Sequence, residues 1–404
     1  LPWRAGHRDR HPDEPRQPSR RRILRLRIAL VRSTFAVARL LPLRRHVVLA
    51  TVHAADLTGN LAFIRDELDR RTPPIPYRIE ARRADQSWQS WFGSFLFNIR
   101  AAYHLATARL FIVDDYFFPI YVIKPRRGTT IVQTWHASGA FKKIGYSVLD
   151  KTFGADETLV ARVAIHSNYD VCLMASKSAA VHYAEAFREP LDRFVTDIGI
   201  PRTDVLFGDE KIARIQAAIR ARYRLPAGKR VILYAPTFRG ESTLEATSPD
   251  DLDLRVLEHE LGADHVLLLK LHPFVRQGNP IPAELSAFAI DVSDYPDINE
   301  LMLVSDVLVT DYSSAIYEFS LLGRPMAFFA PDHDSYMGER GFYFDYRTGV
   351  PGPVFETTAD LARYLRAGRF DLERVARFRD ESFEVADGHA TERFVDRIVV
   401  PALR

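Results

Sequence analysis

Asp306-Val307-Leu308-Val309-Thr310-Asp311-Tyr312-Ser313-Ser314-Ala315-Ile316-Tyr317-Glu318-Phe319 is the stretch on which the reading of the whole chain turns. An apolar β-prone run ends at Thr310, small polar residues follow, and a helix is predicted to begin at Ser313 or Ser314. A short strand that is apolar throughout suits a parallel sheet covered on both faces. Amides and serine hydroxyls at such a strand-to-helix turn form an anion site, which the helix dipole favours further. An ordinary helix cap uses the same residue types, so the stretch takes its meaning from its surroundings.

Working outward, the rhythm repeats. Strands are predicted at 230–235, 265–271, 289–291, 307–310 and 326–329, with helices near 252–260, 298–304, 314–322 and 358–366. An earlier series has strands at 47–52, 77–81, 110–113, 130–134 and 170–174, with helices at 61–70, near 95–108 and near 177–187. Alternation of this kind predicts parallel sheets layered with helices. Two series in succession predict two α/β units with a cleft between them, bridged at Ile198-Gly199-Ile200-Pro201-Arg202.

A chain of 404 residues is long enough for two such units. Hydrophobic residues at 47% and charged residues at 26% predict a soluble globular protein. The single cysteine, Cys172, excludes an intramolecular disulfide and a cysteine-based zinc site, and it points to a reducing compartment inside the cell.

The net charge of +3 conceals an asymmetry. Residues 1–45 hold 13 arginines against Asp9, Asp13 and Glu14, and the rest of the chain is acidic. A basic arm on an acidic body predicts a polyanionic partner, nucleic acid or an anionic membrane. Leu24, Ile28, Val31, Phe35 and Ala38 fall on one helical face flanked by Arg25, Arg32 and Arg39. That spacing favours a helix lying in the headgroup layer of an anionic membrane over residues 20–45, and it argues against nucleic acid. The same face also suits packing on the protein's own surface. Residues 1–22 read as a mobile tail, and the arginines interrupt any stretch long enough to span a bilayer.

Ligands of open α/β sheets bind beyond the carboxyl ends of the strands, so strand exits hold the candidate chemistry. Strand 130–134 runs into Trp135-His136-Ala137-Ser138-Gly139-Ala140-Phe141-Lys142-Lys143. His136 is placed to act as general base on an acceptor hydroxyl, and Lys142 and Lys143 either hold phosphate or form a solvated face. Strand 230–235 exits into Pro236-Thr237-Phe238-Arg239, where Arg239 suits bidentate phosphate contact. Strand 265–271 exits into His272-Pro273-Phe274. With Ser313 and Ser314, these make four exits converging on one cleft, and none has metal-ligand spacing.

These residues resemble the CDP-glycerol:poly(glycerophosphate) glycerophosphotransferase family of teichoic-acid primases and polymerases. The resemblance covers roughly residues 110–397. It is carried in order by Gln133-Thr134-Trp135-His136, Lys142-Lys143-Ile144-Gly145, Leu233 to Arg239, Leu271-His272-Pro273, Asp297 to Leu301, Ser305 to Glu318, Arg340 to Asp345, and Asp387 to Arg393. The family implies a GT-B architecture of two Rossmann-like domains, at 46–200 for the acceptor and 201–386 for CDP-glycerol. It also implies a last helix at 387–404 crossing back, while the basic arm read from its charge occupies 1–45.

The resemblance further implies transfer without metal or cofactor, with CMP leaving. His136 would be the base, and Arg239, His272, Ser313 and Ser314 would hold the diphosphate. Asp311 and Glu318 would lie near the nucleotide side. Many members have His-Gly-Thr where this chain has His136-Ala137-Ser138-Gly139, a form more like the primases, which add one unit.

The expected activity is transfer of glycerol phosphate from CDP-glycerol to a lipid-linked wall-polymer acceptor, peripherally at the cytoplasmic face of the membrane. The competing readings are a CDP-ribitol donor, a GT-B glycosyltransferase using a nucleotide sugar, and a non-catalytic protein that binds polyanions through its arm.

Overall fold

The computed structural model describes residues 20–52, 54–82, 88–149, 157–240, 246–249, 251–275 and 280–404. Most of the expected mobile tail, residues 1–19, lies outside them. The first unit carries β1 (Arg44–Thr51), β2 (Tyr77–Ala81), β3 (Ala108–Val113), β4 (Thr130–Gln133), β5 (Val171–Leu173) and β6 (Phe194–Val195). The second carries β7 (Arg230–Ala235), β8 (His265–Leu269), β9 (Ala289–Asp291), β10 (Val307–Thr310), β11 (Met326–Phe329) and β12 (Val354–Phe355).

The first sheet runs β2-β1-β3-β4-β5-β6 and the second β12-β11-β10-β7-β8-β9. Every pairing within them is parallel. The second order is that of a doubly wound nucleotide fold, with its reversal between β7 and β10. Ala235 and Thr310 pair at that point, and the Thr310 hydroxyl donates to the Ala235 carbonyl at 2.6 Å. The residues after both strands therefore open into the crevice where the strand order reverses.

The units dock through the segment that follows the candidate base. Phe141 packs on Phe342 and Phe344, with ring centroids 5.1 and 5.3 Å apart. Lys143 N–H donates to the Gly341 carbonyl at 3.2 Å, and Tyr343 N–H to the Phe141 carbonyl at 3.1 Å. After the second unit the chain returns to the first. Asp204 accepts the amide hydrogens of Ala390 and Thr391 at 3.0 and 2.8 Å, and Arg71 pairs with Asp396 at 2.6 Å.

Three early helices cover the first sheet: α1 (Arg20–Ala38), α2 (Gly59–Arg70) and α3 (Trp88–Thr107). The α1 face expected to enter lipid is turned inward against α3. Val31, Phe35 and Ala38 are buried in one core with Ala101, Ala102 and Leu105, and Leu24 and Ile28 pack at its edge. Even polar contacts tie this face down, since Arg32 Nε donates to the Val122 carbonyl at 2.8 Å. The physical reason is the apolar surface of α3, which this stripe covers. The other side of α1 presents Ile23, Leu26 and Val37 to solvent beside Arg22 and Arg25, and exposed Arg39 and Leu40 follow in the turn after it. Among the described residues, no helix is long and apolar enough to cross a membrane.

Candidate active site

β4 ends at Gln133, and the chain then turns through Trp135, whose φ of 52° is a left-handed conformation that bulky residues rarely adopt. Several contacts hold it there. Trp135 N–H donates to Gln133 Oε1 at 2.8 Å, and Asn60 Nδ2 donates to the Trp135 carbonyl at 2.9 Å and to that of Thr134 at 3.1 Å. The indole is buried against Tyr183 and Phe187.

The turn places the His136 ring in a stack on Trp135, centroids 4.6 Å apart, with 42% of the His136 side chain exposed. His136 Nδ1 lies 3.3 Å from the Asp114 carbonyl oxygen and 3.9 Å from Asp115 Oδ1. A carbonyl only accepts, so Nδ1 carries the proton in the neutral ring, and Nε2 carries the lone pair.

His136 lines an interdomain cavity of about 430 Å³. Asn60, Asp114 and Arg202 share its first wall, and Thr237, Lys270, His272, Ser313, Ser314 and Glu318 are on the facing one. His272 has the complementary arrangement to His136. Phe274 N–H donates to His272 Nδ1 at 3.2 Å, so its Nε2 carries the proton and is a donor. Phe238 and Phe274 flank that ring at 4.9 and 4.8 Å. Lys270 is buried, which lowers its pKa from the ordinary lysine value, and its Nζ donates to the Ser293 carbonyl at 2.9 Å. Ser313 Oγ accepts the Ala315 amide hydrogen at 3.2 Å, ahead of the helix Ala315–Ser320. Among the described residues, no group of three or more His, Cys, Asp or Glu side chains is placed to hold a metal ion.

The cavity does not gather every residue singled out from the sequence: Arg239, Asp311, Lys142 and Lys143 stand outside its lining. The Arg239 guanidinium is taken up by carboxylates, with Nε 2.6 Å from Asp332 Oδ2 and Nη1 2.9 Å from Asp311 Oδ2. Burial opposes its charge, but Asp311 and Asp332 raise its pKa above the usual arginine value. Asp311 also accepts the Thr237 amide and hydroxyl hydrogens at 2.8 and 3.0 Å. The pair thereby clamps the loop after β7 to the loop after β10, at the reversal of strand order. Lys142 and Lys143 pair instead with the 341–343 segment.

Asn60, Asp114, Lys270 and Arg202 were missed in the sequence. Asp114 and Lys270 directly follow β3 and β8, where the strand-exit criterion applies, Asn60 sits in the first turn of α2, and Arg202 ends the bridge between the units.

The CDP-Glycerol:Poly(glycerophosphate) glycerophosphotransferase family model matches residues 33–400. The chain belongs to this family. Among its relatives, the teichoic acid ribitol-phosphate primase of Bacillus spizizenii is 36% identical over 362 residues, which are 89% of this chain and 92% of the primase. The teichoic acid poly(ribitol-phosphate) polymerase of the same organism is also 36% identical, over 94% of this chain but only 60% of its own length. The teichoic acid glycerol-phosphate primase of Bacillus subtilis is 28% identical over 74% of this chain and 76% of its own. A solved variant of the wall teichoic acid polymerase TagF, soaked with CDPG, superposes with a TM-score of 0.75 at 25% identity, covering 94% of this chain and 95% of that one. This glycerophosphotransferase-family chain thus has the GT-B-like architecture of two parallel sheets.

Proposed function

We propose that the protein transfers glycerol phosphate from CDP-glycerol to a hydroxyl of a lipid-linked, teichoic-acid-like acceptor and releases CMP. The observation that carries this reading is the pairing of two histidines of opposite polarity across one cavity. His136 has its lone pair on Nε2 and His272 its proton there. The acceptor oxygen bonds to the β-phosphorus as the phosphorus–oxygen bond to CMP breaks, and His136 takes the hydroxyl proton. Charge gathers on the phosphoryl oxygens and on CMP, where His272, Lys270 and the Ser313 and Ser314 hydroxyls are grouped to receive it.

A CDP-ribitol donor is the second reading, supported by the 36% identity to the ribitol-phosphate primase of Bacillus spizizenii. Incubation with labelled CDP-glycerol, CDP-ribitol and UDP-sugars, with a lipid-linked acceptor present, tests both. CMP released from one CDP-polyol supports the proposal and names the donor. UMP released from a sugar nucleotide would make the protein a glycosyltransferase. No turnover, combined with polyanion binding, would make it a binding protein.

We place the protein peripherally at the cytoplasmic membrane face. The exposed apolar residues Leu26, Val37 and Leu40 beside Arg22, Arg25 and Arg39 support this placement, each arginine adding about 1 kcal/mol near anionic lipid.

A further inference from the structure

We infer that Arg202 and Glu318 form a latch between the two units that sets the position of His136, so that Glu318 positions the base and does not bind nucleotide. This rests on the reading of His136 as the base. Arg202 stands in the bridge between the units, and its Nη1 donates to the His136 carbonyl at 2.7 Å. Its backbone N–H donates to Asn60 Oδ1 at 3.0 Å, and the same Asn60 amide holds the Trp135 carbonyl. The residue that carries the base is thus gripped on its own carbonyl and through the residue before it.

Glu318 comes from the second unit, and its carboxylate reaches Ser138 of the first unit and Arg202 of the bridge between them. Ser138 Oγ, two residues beyond His136, donates to Glu318 Oε1 at 2.9 Å, and Arg202 Nε lies 3.5 Å from the same oxygen. Glu318 is 2% exposed and the Arg202 side chain 18%. A buried carboxylate is tolerated only when paired, and losing its partners costs far more than the pair contributes. Separating the units would take Ser138 from the Glu318 carboxylate and disturb its contact with the bridge. Docking of the donor unit and fixing of the catalytic loop are therefore one event. A displacement of about 1 Å in a reacting group costs about 10²-fold in rate, so small play at this latch reaches the chemistry.

The test uses Glu318→Gln, which keeps the volume and an acceptor for Ser138, together with Arg202→Lys and the double variant. CDP-glycerol affinity is measured by calorimetry, turnover with a lipid-linked acceptor, and the reactivity of His136 by diethylpyrocarbonate carbethoxylation followed by mass spectrometry. The latch predicts donor affinity within about threefold of wild type and turnover lowered roughly 10- to 100-fold in each single variant. The double variant should be no worse than the poorer single, because both act on one contact. His136 carbethoxylation should change at least about threefold, while the exposed His259 is unaffected. Unchanged His136 reactivity in both variants overturns the latch, as does an affinity loss beyond about tenfold with turnover at saturation preserved. If the wild-type protein turned over neither CDP-polyol, the functional reading would fall, while the carbethoxylation rates would still decide the latch. Should Glu318→Gln not fold, Ser138→Ala removes one arm of the contact without touching a charge, and the same rates are read on it.

Discussion

In the proposed reaction His136 acts through a lone pair on Nε2, and the facing wall of Lys270, His272 and the serines does not depend on it. His136→Ala is therefore expected to lower turnover by about 10² to 10⁴ while donor affinity moves only a few fold, as single-turnover kinetics and calorimetry would show. Loss of affinity in step with turnover would make His136 a ligand contact. Behind the same loop, His166 is buried and stacked on Phe187 with centroids 4.1 Å apart. Burial lowers its pKa to about 3, against a smaller opposing pull from Asp115. The unfolded chain takes up this proton near the ordinary histidine value of about 6.5, and the folded chain does not until far lower pH. Between those values the unfolded state binds more protons, so stability falls as the pH drops. His166→Asn, which tolerates the φ of 61° at this position, should flatten the decline of Tm between about pH 6.5 and 4.5 in scanning calorimetry. A decline as steep as that of the wild type would assign it to other groups.

At the scale of elements, α1 separates two properties that deletion would confound. Phe35→Ala empties part of the α1–α3 core and should cost about 3 to 5 kcal/mol in denaturant unfolding. Leu26→Ser with Leu40→Ser touches only exposed side chains, so it should leave Tm nearly unchanged while weakening sedimentation with anionic vesicles. Retention of full vesicle binding would place the proposed membrane contact away from α1 and the turn after it.

The same helix shows what the sequence could tell. Its stripe from Leu24 to Ala38 was legible from spacing, but spacing does not say whether lipid or α3 covers it. The strands β7 and β10 were legible because apolar runs ended in turn residues. β6 and β12 were not, because two residues carry no period and only pairing with β5 and β11 makes them strands. Arg239 was legible as a guanidinium at a strand exit, and its carboxylate partners, Asp311 and Asp332, lie 72 and 93 residues further on, beyond the reach of any local pattern. His136 and His272 stood out because each lies at the exit of a predicted strand, and the cavity brings those two together.

Over the whole molecule, the return of the chain to its first unit depends on Asp204, which caps the helix Ala390–Phe394 from a distance. Asp204→Ala should cost about 0.5 to 2 kcal/mol, the range for a lost cap, and leave donor affinity intact, because Asp204 is not part of the cavity wall. Thermal unfolding and calorimetry would check both, and weakened donor binding would mean that the return segment also governs the cleft. Phe394, Val395 and Val399 lie in one core with Leu61, Ile64 and Leu68 of α2. This has a consequence for synthesis. A ribosome that has made the first six strands has not yet made the residues that seal α2, and the whole second unit emerges in between. The nascent first unit must keep an apolar helix face uncovered for that interval, a natural hold for a chaperone and a point where translation speed bears on yield.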